Sequence, residues 1–500
     1  MTGGETGSMS ASYRQWRLAC PPRHSAETRP LQRRMPLRTL RRSLEQVPLH
    51  FVRFDAHTSE SRAKERVRRV GLTAAASALA RITTIATSLL TAPMTLHYLG
   101  AERYGLWMTL SSVTAMLTFA DFGIGNGVLS AVATAHGRDD LSGIRGYISS
   151  AFALLMAIGV GVLVLMAALY GVVDWAALFN VTLPVTKSEV APAAAIFVAC
   201  FAIALPLGIV QRVQLGSQMG FMASLWQCLA SLAGLGGVLF AIYFRAGLPW
   251  LVLGYAGLPV FVGLINSMVF FGRLYPEFRP RPNAVSRHHS AEIAQVGFLF
   301  FILQIAVSVT YASDNFVIAH ILGAEKVTQF AIPDRLFALT SMVVGLAVTP
   351  LWPAFGEAIA RGDNVWARQT LLRTTVVAGL AGIAASMFLL IFGKTIIHAW
   401  VGDTIQPTFA LLAGFAVWRA LEAFVGPGSM YLNGLRAFRF QVITAIITAF
   451  VVIGLEIALI RRVGIAGLPW ITTFGYFCLT FVPGFLFLRG KFSSAPAPVV

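Results

Sequence analysis

Asp121-Phe-Gly-Ile-Gly-Asn-Gly127 is the stretch that decides the fold. Upstream of it, Tyr104 to Ala120 is almost uncharged and apolar; downstream, Val128 to Ala135 continues the run until His136-Gly-Arg-Asp-Asp140 ends it. A carboxylate inside such a segment is costly in hydrocarbon, and it marks a position that faces a bundle interior or a water-filled cavity. Glycine and a local break are tolerated there only where the freed backbone groups line a cavity or meet other helices. Gly123, Gly125 and Gly127 therefore predict a helix break, with Asp121 at its lip.

The surrounding chain is of the same kind. Of 500 residues, 56% are hydrophobic and only 12% charged, which argues against a set of soluble domains and for an all-α polytopic membrane protein. Runs of about 20 apolar residues are long enough to span the ~30 Å hydrocarbon layer. Twelve are predicted, near 71–98, 103–135, 145–171, 190–211, 219–244, 248–272, 291–321, 326–356, 371–393, 405–432, 438–460 and 465–488.

The net charge of +17 suggests a nucleic-acid partner until it is divided along the chain. Residues 1–69 hold 15 Lys and Arg against 6 acids, and the remainder 24 against 16. With the basic tail inside, the inner loops carry fourteen Lys and Arg and the outer loops seven, so both termini are expected in the cytoplasm and no nucleic acid is implied. The expected divisions are a disordered basic tail at 1–69, a six-helix lobe at 70–272, an inter-lobe linker at 273–290, a second lobe at 291–488 and a disordered tail at 489–500. Ser61 to Arg69 also reads as a short basic helix at the membrane surface, drawn to anionic lipid.

The two lobes repeat. Leu99-Gly-Ala-Glu102 recurs as Leu322-Gly-Ala-Glu325, His136-Gly137 matches Arg361-Gly362, and Ala246-Gly-Leu-Pro-Trp250 recurs as Ala466-Gly-Leu-Pro-Trp470. The offsets, 223, 225 and 220, are nearly constant, and each match falls at the same span boundary. Six spans separate equivalent points, so the copies share one orientation, as parallel repeats about an axis along the membrane normal.

Tyr98-Leu-Gly-Ala-Glu-Arg-Tyr-Gly-Leu-Trp107, followed by Asp121-Phe-Gly-Ile-Gly-Asn-Gly127 and the polar His-Gly-Arg-Asp turn, resembles the oligosaccharide flippases. These are the Wzx-type polysaccharide transport proteins of the multidrug/oligosaccharidyl-lipid/polysaccharide exporter superfamily. The resemblance covers about residues 70–490 and leaves the Arg-rich tail without an inherited role. It implies a MATE-like fold of two six-helix lobes in a bacterial inner membrane. It further implies a function: moving undecaprenyl-diphosphate-linked oligosaccharide from the inner to the outer leaflet. The partners expected on that basis are the lipid-linked substrate, membrane lipids, and polysaccharide polymerase and chain-length proteins. A drug or organic-cation exporter of the same superfamily is the second reading. A membrane polymerase or ligase is the third, disfavoured because the longest outer loop, 171–189, is only about twenty residues.

An anionic diphosphate calls for arginine, whose planar fork pairs phosphate oxygens bidentately. Arg81, Arg335 and Arg419 are the basic residues inside spans and the candidate substrate contacts. Asp121, Asp314 and Glu422 are the candidate ion-coupling carboxylates. Each has a plainer reading. Arg81 snorkels or pairs helices; Asp314 and Arg335 neutralise each other across the Leu322–Lys326 hairpin; Arg419 and Glu422, at i and i+3, pair on one helix face. Asp121, with no basic neighbour one turn away, either exchanges a proton or accepts bonds from the N–H groups of the break. No cofactor, metal or catalytic residue is expected: there is no Walker motif, and Cys20, Cys200, Cys228 and Cys478 have no ligand spacing.

Overall fold

The computed structural model describes residues 59–117, 121–179, 184–401 and 406–493; most of the basic tail lies outside them. Among the described residues ten helices are long and apolar enough to cross a membrane. With the last of them counted as two and the broken α2 added, they make twelve passes. The first six are α1 (Ser61–Gly100), α2 in two pieces (101–117 and Ile124–Gly137), α3 (Leu141–Tyr170), α4 (Pro184–Gly216), α5 (Gly220–Tyr243) and α6 (Leu248–Leu274). The second six are α7 (Arg287–Leu322), α8 (Lys326–Ala360), α9 (Asn364–Val401), α10 (Phe409–Gly434), α11 (438–463) and α12 (465–492). The last two are one continuous helix in hydrogen-bonding terms, folded at Gly464, where φ is +62°.

The backbone carries the repeat more plainly than the side chains do. Left-handed residues close four equivalent hairpins in each half: Gly100 and Gly323, Asp139 and Gly362, Gln218 and Arg436, Arg245 and Gly464. Gly100 (φ +76°, ψ 172°) and Gly323 (φ +95°, ψ 157°) hold nearly the same conformation, in a region essentially closed to residues with a Cβ. The shared Leu-Gly-Ala-Glu motif is thus the sequence form of one hairpin used twice. Phe122 (φ +47°) and Gly123 (φ +73°) have no positive-φ counterpart: α8 is also interrupted, between Val348 and Leu351, but there Thr349 (φ −57°) and Pro350 (φ −66°) keep a right-handed backbone.

Each lobe packs around apolar clusters. In the first, Ile144, Ile148 and Phe270 centre one cluster, and Val190, Leu248 and Leu251 the other. In the second, Phe337, Leu412 and Leu468 centre one, and Phe355, Ala358 and Ala367 the other. A fifth cluster joins the lobes: Leu129 of α2 meets Val296 and Phe300 of α7, Trp352 of α8 and Phe438 of α11. The exterior is as apolar as the interior, with Phe240, Phe261, Phe316, Leu380 and Phe450 all more than half exposed. In water such a surface is an aggregation liability, and in hydrocarbon it is the matching face.

Three expected divisions are corrected. Residues 59–69 are not a disordered tail but the first turns of α1, because Arg66 is buried against acids of the second lobe. The helix of α12 continues past 489 to Ser493, with the Phe492 ring meeting Tyr431 edge to face. The linker is shorter than 273–290: Leu274 ends α6, Arg287 begins α7, and the segment between packs on α3. Arg145 Nε donates to the Glu277 carbonyl (2.9 Å), and the N–H of Arg281 donates to Ser149 Oγ (3.0 Å).

Gly123 provides the sharpest test of this packing. A Cβ there would run into the Gly297 carbonyl of α7 from a left-handed backbone, whereas Gly171 has open space and an ordinary φ. Gly123→Ala is expected to destabilise the protein by at least about 1–2 kcal/mol from the backbone alone, and Gly171→Ala to leave it unchanged. Thermal unfolding in detergent, followed by tryptophan fluorescence, checks both.

Candidate functional site

The break in α2 is built by its own carboxylate. After Phe122 and Gly123 reverse the chain, Asp121 Oδ1 accepts from the Gly123 N–H (2.9 Å) and Oδ2 from the Gly125 N–H (3.3 Å). A helix start leaves four N–H groups unpaired, and a side-chain oxygen satisfies them most economically. The geometry selects the capping reading of Asp121. No basic residue lies one turn away along α2, but Arg212 of α4, counted by its charge among the inner-loop residues, stands beside it from another helix. A Cβ on Gly125 would stand 2.9 Å from both Arg212 Nε and Asp121 Oδ2, and Arg212 Nη1 donates to Asn126 Oδ1 (3.1 Å). Only Gly123 bends the chain. Gly125 makes room for Arg212, and Gly127, also helical, lets α2 approach the Ile293 carbonyl of α7.

The seam between the lobes ends in a clasp. It lies at the end of the bundle where α1 begins and α12 finishes, here the basic end. Arg66 of α1, with 3% of its side chain exposed, binds Asp363 (2.7 Å) and approaches Glu357 (3.6 Å). Arg361 reaches back with a two-pronged contact to Asp139, both distances 2.7 Å, while its Nε holds Glu357 (2.9 Å). Gln218 of the first lobe also donates to Glu357, and Tyr147 donates to Glu292 (2.6 Å), which Arg436 holds from the other side (2.6 Å). Among the described residues, every ion pair that crosses between lobes is at this end. The hydrogen bonds from Arg361 hold the Asp139 carboxyl below the usual carboxylate range, and the same contact raises Arg361.

Inside the second lobe a polar centre forms around Arg419. The residue is 6% exposed. Its guanidinium donates to Glu422 (2.8 Å), as the i, i+3 spacing predicts, and also to Asp334 of α8 (2.7 Å) and Ser341 (3.3 Å). Asp334 was missed by the sequence reading, which took its neighbour Arg335 as the inward residue. Arg335 is in fact exposed and has no ion-pair partner among the described residues. The predicted Asp314–Arg335 pair is not formed: Asp314 contacts Glu456 of α11, a second acid that the sequence reading overlooked. The interior charge is therefore not balanced but acidic, with Asp121, Asp314, Asp334, Glu422 and Glu456 against Arg81, Arg212, Arg335 and Arg419. Arg81 stands midway along α1, between Ser77 and Thr84, whose hydroxyls meet Ser224 and Ser231 of α5 (both 3.0 Å). Its side chain is exposed at the border of that seam and joins none of the other charges.

Solved structures share this fold of two six-helix lobes. A multidrug-resistance MATE family transporter of the MOP superfamily in an outward-facing conformation superposes with a TM-score of 0.72 at 16% identity, over 86% of this chain and 97% of that one. A MOP superfamily transporter from Pyrococcus furiosus gives 0.71 at 16% identity, over 86% and 96%. A MATE transporter in complex with MaD3S gives 0.72 at 17%, over 86% and 96%. Residues 73–359, more than half of the chain, match the model of the polysaccharide biosynthesis protein family. The chain belongs to that family. Among curated proteins no relative matches the sequence.

The clasp makes its own prediction. Removing one partner of a buried ion pair typically costs about 3–5 kcal/mol, so Arg66→Ala is expected to shift the lobes toward separation at the basic end. A carboxylate held low contributes its contact above the ordinary range and loses it as pH falls through the folded value, so the Asp139–Arg361 contact weakens below about pH 4. Spin labels at Arg138 and Val365, in a background lacking the native cysteines, read both effects as a lengthened distance.

Proposed function

We propose that the protein flips undecaprenyl-diphosphate-linked oligosaccharide across the bacterial inner membrane by alternating access, with both termini in the cytoplasm, for assembly of a surface polysaccharide. The observation that carries this reading is the family match, which spans the first lobe, the linker and the seam with α7 and α8. Supporting it, the lobes meet through a small-residue seam and, among the described residues, are held by ion pairs at one end, an arrangement that water can dissolve and re-form. The basic end is then cytoplasmic, and the observed conformation is closed on that side.

The structure changes which arginines suit a diphosphate. Arg419 is committed to Asp334 and Glu422 and serves the lobe's interior. Arg81 and Arg335 keep exposed guanidinium groups without acidic partners among the described residues, and these two are the proposed substrate contacts. The acidic surplus of the second lobe favours one other reading, an organic-cation exporter built on the same frame.

Proteoliposomes separate the two readings. A fluorescent lipid-linked oligosaccharide is expected to move between leaflets, scored by an impermeant quencher. Loss of a charge-assisted contact of about 1.5–3 kcal/mol makes Arg81→Ala and Arg335→Ala slower by about tenfold or more. No movement of this lipid, together with ethidium export, would replace the flippase by the exporter.

A further inference from the structure

One place that is filled in the first lobe stands open in the second. At the repeat offset of 223, Arg368 near the start of α9 falls on Arg145 near the start of α3. Arg145 is engaged: its Nε donates to the Glu277 carbonyl of the linker, and Phe278 of the same segment is buried with Phe270 against Ile144 and Ile148 of α3. Arg368 has no such cover. Its guanidinium lies over the Phe492 ring (5.2 Å), and among the described residues it has no acidic partner.

Beside Arg368 a cavity of about 750 Å³ lies among α7 and α9–α12. Along α12 its wall runs from Arg489 at the basic end to Thr472, about 25 Å. That is a little more than one leaflet with its headgroups, roughly 20–22 Å. The cavity also opens sideways. Leu372, on its α9 wall, belongs with Val376, Leu380 and Ile383 to the exposed stripe of that helix, and Phe485, on its α12 wall, is exposed as well. Hydrocarbon outside the lobe therefore has a way in between these two helices.

The wall offers water little. Its polar side chains satisfy one another or their own helix: Thr310 and Thr444 donate to carbonyls one turn back (2.8 and 3.1 Å), Thr448 and Thr480 are bonded together (2.9 Å), and Gln441 donates to Asn433 (2.9 Å). The rest is chiefly Leu, Val and Phe, and among the described residues no Asp or Glu borders it. An apolar wall of this kind stays dry and takes up an apolar guest. The cations of the lining, Arg368 and Arg489, both stand at the basic end. Basic pockets between membrane helices suit anionic lipid headgroups, and the arginine fork pairs phosphate oxygens.

We propose that this cavity holds one anionic phospholipid of the surrounding membrane, its hydrocarbon between α9 and α12 and its phosphate on Arg368 and Arg489. The lipid enters from the side and takes, in the second lobe, the place that the linker takes in the first. It completes the packing of the basic half of α12, which meets its neighbours there through ring contacts, Phe487 with Phe440 (4.6 Å) and Phe492 with Tyr431 (5.7 Å). The site stands whatever cargo the lobes move.

Native mass spectrometry of the full chain tests it. After reconstitution in vesicles of equal parts phosphatidylglycerol and phosphatidylcholine and transfer to mild detergent, the protein is expected to retain one phosphatidylglycerol per chain, well in excess of phosphatidylcholine. Arg368→Gln should lower that retention about tenfold. Gly484→Trp and Gly428→Phe, which add side chains to the lining where a Cβ meets open space, should abolish it. Arg439→Gln, at an exposed arginine of α11 outside the lining, should leave it unchanged. Added phosphatidylglycerol should raise the unfolding temperature of the native sequence and not that of Arg368→Gln; an equal rise in both overturns the phosphate contact. Equal retention of the two lipids overturns the proposal, and so does phosphatidylglycerol that survives both cavity-filling substitutions in folded protein. Displacement of the phospholipid by a polyprenyl diphosphate overturns it too, because the cavity would then serve the tail of the cargo.

Discussion

Main chain touches main chain where α2 restarts at Gly123 and passes Gly297 of α7, and most of the architecture follows from that approach. Helices in hydrocarbon gain little from burying apolar groups against each other, since lipid is as apolar as a leucine; close packing of small residues has to hold them instead. Gly123, Gly127 and Gly297 supply it at the first contact, and Gly356 beside Ala133, with Gly434 beside Phe355, extends it to α8 and α10. The Asp121 cap makes the approach tolerable by pairing N–H groups that the break would otherwise strand. The same carboxylate gives Arg212 a counter-charge, so one residue stabilises both the kink and the cation behind it.

Much of this was legible from residues alone. Apolar runs separated the passes, the Leu-Gly-Ala-Glu and Ala-Gly-Leu-Pro-Trp motifs exposed the duplication, and both motifs prove to mark hairpins closed by a left-handed residue. The partners of the buried charges were harder. Arg212 reaches Asp121 from another helix, and nothing one turn away along α2 announces it. Asp334 was readable in principle: Phe330, Phe337 and Ser341 share its helical face, and two of these are buried, whereas Arg335 is turned about 100° away. Glu456 falls in a stripe with Val452 and Ile460, each 0% exposed, and that i, i+4 phase would have placed it inward. Charge type drew attention first, and helical phase was the better guide.

The segment joining the lobes is rich in proline and arginine, yet it is held in place: Phe270, Tyr275 and Phe278 stack together, and Ser149 and Ser150 accept its backbone N–H groups. The linker is therefore an outer layer of α3.

Glu357 is the point on which the basic end turns. Arg66, Arg361 and Gln218 converge on one carboxylate, two of them from the first lobe and one from the second. Partial loosening would strand either that carboxylate or the Arg66 guanidinium in a nearly dry setting, which is worse than keeping every contact or losing all of them to water. The latch is consequently cooperative: losing some of its contacts is penalised relative to keeping all of them or exchanging all of them for water.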